Sequence, residues 1–411
     1  MKKKSSKILN YIKVLSKKEK LILYLAILIF SVGLVSWSIF YYFNATKKVP
    51  AGGGEYTEGI LGKPTYINPL LSRTNEVDGL ISDLVFSSLL KYDENSVLIN
   101  DLAEKYEISE DQKTYTVKIK ENVKWHDEQP LTASDILFTV KLIQNPQFKS
   151  TLRGDWQDIE VKTTDNYTVQ FELTEPYSPF LNKLTFGILP QHIFKDIASE
   201  NFLINEFNLK PLGSGPFQFS DIKTDKQDNI VSYQLTANKN YYDQVPYLEK
   251  INFNFYDSEA DLVEAYNKKE INGFGLLSYD KIQDFENNKD TQIKILKVPR
   301  YFALFFNETK SVPLGDTEVR KALAFAINKQ EIIEKIFYQK AADSLNSPIL
   351  ENFGEIKTSN ETEKYEYNPE KSKELLEQAG WKNEDGQLKK DYQTLEISVI
   401  STQWPALVET S

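Results

Sequence analysis

Between Leu21 and Phe43 the chain carries 23 consecutive residues without a charge. A helix of about 20 apolar residues crosses the ~30 Å hydrocarbon core of a bilayer. The run therefore divides the chain into a short tail before it and a long soluble part after it. Lys2, Lys3, Lys4, Lys7, Lys13, Lys17, Lys18 and Lys20 precede it, against Lys47 and Lys48 just beyond. That asymmetry assigns residues 1–20 to the cytoplasm as a basic tail and places the rest outside. Trp37, Tyr41 and Tyr42 gather at the outer end, where amphipathic rings sit at headgroup level. A cleaved signal peptide has an apolar core of about 7–15 residues and a small-residue exit. Here the run is longer and its exit aromatic, so residues 21–43 read as an uncleaved transmembrane helix. Residues 44–54, ending in Val-Pro-Ala-Gly-Gly-Gly, form a flexible linker.

Beyond the linker the clearest local order lies at 102–140, LAEKYEISEDQKTYTVKIKENVKWHDEQPLTASDILFTV. Tyr115, Val117 and Ile119 alternate with Thr116, Lys118 and Lys120, the period of a half-buried strand. KWHDEQP is a polar turn closing on Pro130. Thr132 then caps a helix, with Asp135 three residues on and Ile136, Leu137, Val140 and Ile143 along one face.

Both periods recur further along. Strand alternation appears at Tyr167 to Leu173, at Ile251, Phe253 and Phe255, at the apolar stretch Arg300 to Asn307, and at Leu395, Ile397 and Val399. Helical spacing appears at Val77, Leu80, Ile81, Leu84 and Val85, around Glu259 to Asn267, and at Val319, Ala322, Leu323 and Ala326 after Asp316. Asn328 caps a further helix with Glu331 at the capping-box position and Ile332, Ile333, Ile336 and Phe337 buried. Asn368, Pro369 and Gly380 frame another in the order of cap, first-turn Pro and terminal Gly. In PLGSGPFQFS, Gly213 and Gly215 flank Ser214 and open conformations closed to other residues. No phosphate-loop spacing surrounds them, and Pro216 follows at once.

Composition removes several chemistries. With no cysteine the chain has no disulfide, no thiol nucleophile, no Cys-ligated zinc and no lipid-modified N-terminal Cys. Two histidines, His126 and His192, do not make a histidine-built metal or triad site. His126-Asp127 sits in a turn with no third ligand at useful spacing. Asp83, Glu94 and Asp101 fall on solvated faces, unpaired as hydrolase carboxylates. A net charge of −10, with no basic stripe after the first 20 residues, excludes a nucleic-acid partner.

The 102–140 stretch resembles the motif "LA, strand, GVKFHDG-P-TA-DV-FS" of the extracellular solute-binding proteins of family 5. These are the oligopeptide-, dipeptide- and nickel-binding receptors that feed ABC importers. Asn122 and Glu128 stand where that motif has glycine. The resemblance continues through the opening strand, the Asn68-Pro69 loop and the first helix, then FGILPQHIF, PLGSGPFQFS, VPYLEKI, YFALFFN, VRKALAFAINKQEI and YNPEKSKELLEQAGW. It implies an α/β, two-lobed periplasmic-binding-protein-like fold (type II, cluster C) with mixed sheets. Lobe I would run over 55–296, with a subdomain at about 96–186, and lobe II over 297–411. In the family roughly another hundred residues follow, so lobe II is expected to be incomplete here.

The same resemblance implies a receptor that closes two lobes on a solute without transforming it, and therefore no enzyme and no cofactor. Its partners would be a peptide or another small polar solute, an ABC permease and, through the N-terminal helix, the membrane; a monomer is expected. Carried over by motif, the cleft residues are Ser72, Arg73, Thr74 and Asn75 from lobe I. Tyr301, Ala303, Ser401, Thr402, Gln403 and Trp404 come from lobe II. Several have a structural alternative: the Ser72–Asn75 loop as a solvated helix entry with Thr74 or Asn75 as its cap, Arg73 as a solvated loop residue, Tyr301 as a core-strand residue, Trp404 as packing at a helix start. Two other functions stay open, a membrane-tethered sensor or scaffold without importer coupling, and an extracellular hydrolase. The absence of Cys, the poverty of His and the lack of a nucleophile motif weigh against the hydrolase.

Overall fold

The computed structural model describes residues 14–46, 51–198, 201–275, 285, 288–294, 301–336, 342–345 and 364–401. Helix α1, Lys17–Ala45, contains the whole apolar run and extends it at both ends. Ser16 starts it by a reciprocal cap: its Oγ accepts from the Glu19 N–H at 3.4 Å, and its own N–H donates to the Glu19 carboxylate at 2.8 Å. None of its residues is buried; Phe30, Trp37 and Phe43 are exposed. A helix apolar on every side and packed on nothing described is suited to lipid.

The soluble part then reads β1 (Glu55–Leu61), α2 (Glu76–Val85), β2 (Leu90–Tyr92), β3 (Leu98–Asn100), β4 (Ala103–Ile108), β5 (Thr114–Ile119) and α3 (Ala133–Gln144). There follow β6 (Ile159–Asp165), β7 (Thr168–Leu173), β8 (Phe217–Thr224), β9 (Ile230–Ala237), β10 (Lys250–Tyr256), α4 (Glu259–Asn267) and β11 (Gly273–Phe274). Strands β4-β5-β7-β6 form an antiparallel sheet; β11-β1-β10-β9-β8 form a mixed one in which β1 runs parallel to both neighbours. Everything from Gly62 to Pro216, the four-stranded sheet included, is inserted between β1 and β8.

Alternation explains both sheets. In the four-stranded sheet Tyr115 faces Phe171 and Val117 faces Val169 across the β5–β7 ladder, all buried. Trp156 fills the space beside them, its ring 5.1 Å from Phe186 and 5.9 Å from Phe180. In the mixed sheet Ile251 pairs with Leu235 and Phe253 with Tyr233, while Asn252 and Asn254 point to the other face. One continuous apolar core, from Ile67 to Phe255, joins the two sheets. Helix α3 seals it with Ile136, Val140 and Ile143. At its start the Asp135 carboxylate accepts from the Thr132 N–H at 2.9 Å and from the Gln191 N–H at 2.8 Å.

The C-terminal part holds α5 (Thr317–Ala326), α6 (Lys329–Ile336), α7 (Pro369–Gln378) and the small sheet β12 (Lys382–Glu384), β13 (Gln387–Lys390) and β14 (Gln393–Thr394). Val319 and Ala322 of α5 pack with Leu375, Leu376 and Trp381 into a separate small core. The caps are those the sequence announces: Asp316 accepts from the Glu318 N–H, Asn368 from the Lys371 N–H, and Gly380 takes a φ of +88°. At α6, Glu331 meets the Asn328 side-chain amide at 3.2 Å instead of its backbone; Phe337 lies outside the described residues.

Three expectations are corrected. Tyr301–Asn307 forms no ladder with any described strand, and Tyr301, Leu304 and Phe305 are exposed. The strand at Leu395–Val399 is likewise not formed: β14 ends at Thr394, paired to Lys389, and Ile397 and Val399 stand in solvent. Alternating side chains make a strand only where a neighbour supplies backbone partners. No described strand pairs with Tyr301–Asn307, and in the second segment only Leu395 keeps such a partner, its N–H donating to the Leu388 carbonyl at 2.8 Å. Asp101 is buried, not solvated. It holds Lys91 at 2.9 Å, the Tyr242 hydroxyl at 2.7 Å and the Ser88 N–H at 3.0 Å.

Candidate functional site

The turn Ser72–Thr74 lies just ahead of α2, and a set of buried polar side chains fixes it there. Asn68 accepts from the Leu70 N–H through its Oδ1 and donates through Nδ2 to Asn208 Oδ1 at 3.1 Å, a link across 140 residues. The Asn68 carbonyl accepts from the Ser72 N–H at 2.8 Å, and Ser150 Oγ donates to the Leu70 carbonyl at 3.2 Å. Asp78, 1% exposed on α2, accepts from the N–H groups of Thr65 and Tyr66 at 2.6 and 2.8 Å. Burial raises the Asp78 carboxyl above the ordinary carboxylate range, and those two N–H groups oppose the rise.

Within the turn Ser72 is buried and Thr74 exposed, with Arg73 between them. Asn75 caps α2: its Oδ1 accepts from the Val77 N–H at 2.9 Å, and its Nδ2 donates to the Lys63 carbonyl at 2.9 Å. Its amide is thus committed to the scaffold. Thr74 is exposed, and its hydroxyl donates to the Leu71 carbonyl at 3.4 Å. The turn is a rigid platform with an exposed polar tip.

Tyr301 and Ala303 are both exposed, two residues apart in one segment. Ser401 is exposed, and Thr402, Gln403 and Trp404 lie outside the described residues. Hollows of about 270 and 280 Å³ open elsewhere on the described surface. One lies over Glu55, Thr57 and Asn252, the other beside Pro130, Asp135 and His192; neither includes the Ser72–Asn75 turn.

His126 proves to be a structural clasp. Its N–H donates to the Gly213 carbonyl at 2.9 Å, and its Nδ1 accepts from the Gly213 N–H at 3.2 Å. Nε2 then donates to the Gly215 carbonyl at 3.1 Å, so the ring is neutral with its proton on Nε2. Burial pushes the imidazole down to about 4. Asp127 turns instead to His192, whose Nε2 lies 2.8 Å from its carboxylate. Gly213 and Gly215 do not use the left-handed region. A Cβ at Gly213 would fall 1.9 Å from the Val85 carbonyl oxygen, and one at Gly215 2.7 Å from that of Leu84. Close approach to the end of α2, not backbone freedom, demands glycine there.

One polar pair went unnoticed in the sequence. Tyr56 and Glu58 lie two apart on β1, on the face that also carries Ile60, and the Tyr56 hydroxyl donates to the Glu58 carboxylate at 2.7 Å. Gly273 of β11 leaves them room, since a Cβ there would fall 2.1 Å from the Tyr56 oxygen. Burial raises the Glu58 carboxyl. The spacing i, i+2 in an alternating strand was the available signal.

Comparison with known proteins places this architecture. A profile of the bacterial extracellular solute-binding proteins, family 5 Middle, matches residues 97–410. The oligopeptide-binding protein AppA of Bacillus subtilis (strain 168) is 30% identical over 374 residues, covering 88% of this chain and 66% of its own length. NikZ from Campylobacter jejuni, solved in complex with Ni(L-His), superposes with a TM-score of 0.68 at 29% identity, over 83% of this chain and 66% of that one. The AppA structure from Bacillus subtilis, in complex with a nonapeptide, gives a TM-score of 0.64 at 30% identity, over 84% and 68%. The chain thus spans just under two thirds of the length of the curated relative AppA.

Proposed function

Because the chain belongs to family 5 of the bacterial extracellular solute-binding proteins, we propose that it captures peptides or similar polar solutes outside the cell for an ABC transporter. Its fold is that of the type II periplasmic binding proteins, and the family consists of binding proteins. The observation that carries the reading is the Asn68–Asn75 platform. Asp78, Asn68 and Asn75 hold the backbone of the loop by accepting its N–H groups, and the tip they fix carries the exposed Thr74. Preorganised polar groups of this kind replace a solute's hydration at little entropic cost.

In this reading lobe I spans 55–296 and lobe II 297–411, with Tyr301, Ala303 and Ser401–Trp404 on the facing side. An extended peptide between the lobes would pair through its main chain, leaving side-chain selectivity loose. The chain performs no chemistry on the solute. Helix α1 crosses the membrane once and keeps the domain outside as a monomer; it is uncharged from Leu21 to Phe43 and none of its residues is buried. The likeness to a protein solved with Ni(L-His) supports a second solute class, a small metal–amino acid chelate. A membrane-tethered sensor would share all these features and differ only in that deleting it spares uptake.

Mass spectrometry of solutes released by denaturing the full chain after purification tests the reading. Peptides recovered in stoichiometric amount are the expected result. A chain that stays empty across peptide pools and nickel–histidine overturns it.

A further inference from the structure

The tether and the candidate loop leave opposite ends of the same strand. At the near end the linker is pinned before β1 begins: the Gly53 N–H donates to the Tyr247 carbonyl at 2.7 Å, and the Gly54 carbonyl accepts from the Glu249 N–H at 3.0 Å. Strands β1 and β10 are parallel, Glu55 beside Lys250 and Leu61 beside Tyr256. At the far end the Gly62 N–H closes on the Tyr256 carbonyl at 3.0 Å, and the chain runs on into the Ser72–Asn75 platform. Six strand steps separate the two ends, about 20 Å at ~3.3 Å per residue.

Seven residues, 46–52, lie between Ala45, where α1 ends, and the pinned Gly53. Fully extended, the eight steps from Ala45 to Gly53 reach no more than about 28 Å. The near end of the sheet therefore stays within a short distance of the headgroups in which α1 emerges.

That end is apolar. Val245, Tyr247 and Leu248 are 43, 45 and 36% exposed, on the segment that holds the linker. Of the charges flanking them, Asp243 lies 3.8 Å from Lys91 and Lys250 2.8 Å from Glu55, while Glu249 is exposed. A tyrosine between aliphatic side chains suits the boundary between headgroups and acyl chains.

We propose that Val245, Tyr247 and Leu248 form a membrane-docking edge that rests on the outer leaflet of the bilayer α1 spans, so that the Ser72–Asn75 platform points away from the membrane. The inference rests on the anchor reading of α1 and adds the pose. Docking by apolar contact presents the candidate loop to arriving solute. Handing that solute to a permease then requires the sheet end to leave the lipid.

The absence of cysteine makes the test direct. Leu248→Cys, Tyr247→Cys and Asp257→Cys, the last at the far end of β10 and 81% exposed, are each labelled with a small fluorophore. The full chain is reconstituted in phosphatidylcholine vesicles carrying headgroup-spin-labelled phosphatidylcholine. Labels at 247 and 248 are expected to be quenched several-fold more than the label at 257. Equal quenching at both ends overturns the docking and leaves the anchor standing. If carbonate washing strips the chain from membranes of the producing cells, anchor and docking fall together.

Discussion

His126 and Gly213 exchange two hydrogen bonds across 87 residues of chain, backbone N–H to carbonyl at 2.9 Å and backbone N–H to imidazole Nδ1 at 3.2 Å. The second works only while Nδ1 is unprotonated. The ring therefore ties the polar turn after β5 to the glycine segment that abuts the end of α2, and it does so as a neutral group.

A pH dependence follows. The imidazole is held at about 4 in the fold, below its ordinary 6.5, so the unfolded chain binds the extra proton between those values. The group's contribution is complete above pH 6.5 and lost as pH falls from there to about 4. The shift corresponds to at most about 3 kcal/mol. Denaturant titrations at pH 7 and pH 4.5 should show the loss, and His126→Gln should flatten that part of the profile.

Gly213→Ala places a methyl group 1.9 Å from the Val85 carbonyl oxygen. Backbone cannot yield as a flexible side chain does, so the expected cost is at the upper end of about 1–3 kcal/mol or beyond. Gly154→Ala, which meets nothing within 4 Å, is the control and should leave the melting temperature unchanged or slightly raised. Thermal unfolding of the two variants side by side reads the difference.

Glu128 adopts a φ of +70° where the family motif has glycine. Its side chain reaches Lys124 at 3.0 Å and Asn240 at 2.6 Å, both at the surface, where such contacts contribute little. Glu128→Gly should therefore raise the melting temperature by relieving left-handed strain. A fall would show that the two surface contacts outweigh the strain.

Thr74 and Asn75 should separate binding from stability. Asn75→Ala removes the cap of α2 and its hold on Lys63, an expected loss of about 1 kcal/mol, and weakens solute binding through the displaced loop. Thr74→Ala should weaken solute binding, read by calorimetry, with the melting temperature unchanged.

Much of this fold was legible in the sequence because its signals are local. The alternation in Thr114–Ile119, the caps at Thr132, Asp316 and Asn368 and the length of the apolar run each depend on a few neighbouring residues. What stayed hidden depends on distant ones. The Asn68–Asn208 bond, the approach of Gly213 to Val85 and the burial of Asp101 under Lys91 and Tyr242 join segments far apart in the chain, and no period announces them. Of the two stretches read as strands, the described residues Tyr301–Asn307 and those after Leu395 form no ladder, for the same reason. Their alternation is real, but a strand is completed by its neighbours. The tip of the candidate site was legible only through resemblance, since a buried Ser72 and a capping Asn75 differ little in sequence from exposed ones.

The central claim is that two halves close around a solute, and the distance between their facing residues measures it most directly. In the cysteine-free chain, Thr74→Cys and Tyr301→Cys can be spin-labelled together, both positions being exposed. The account predicts that a peptide pool narrows the Thr74–Tyr301 distance distribution and shifts it shorter, and that removing the peptide reverses the change. A distribution unaltered by peptide or by nickel–histidine, at concentrations where binding is independently detected, would contradict it.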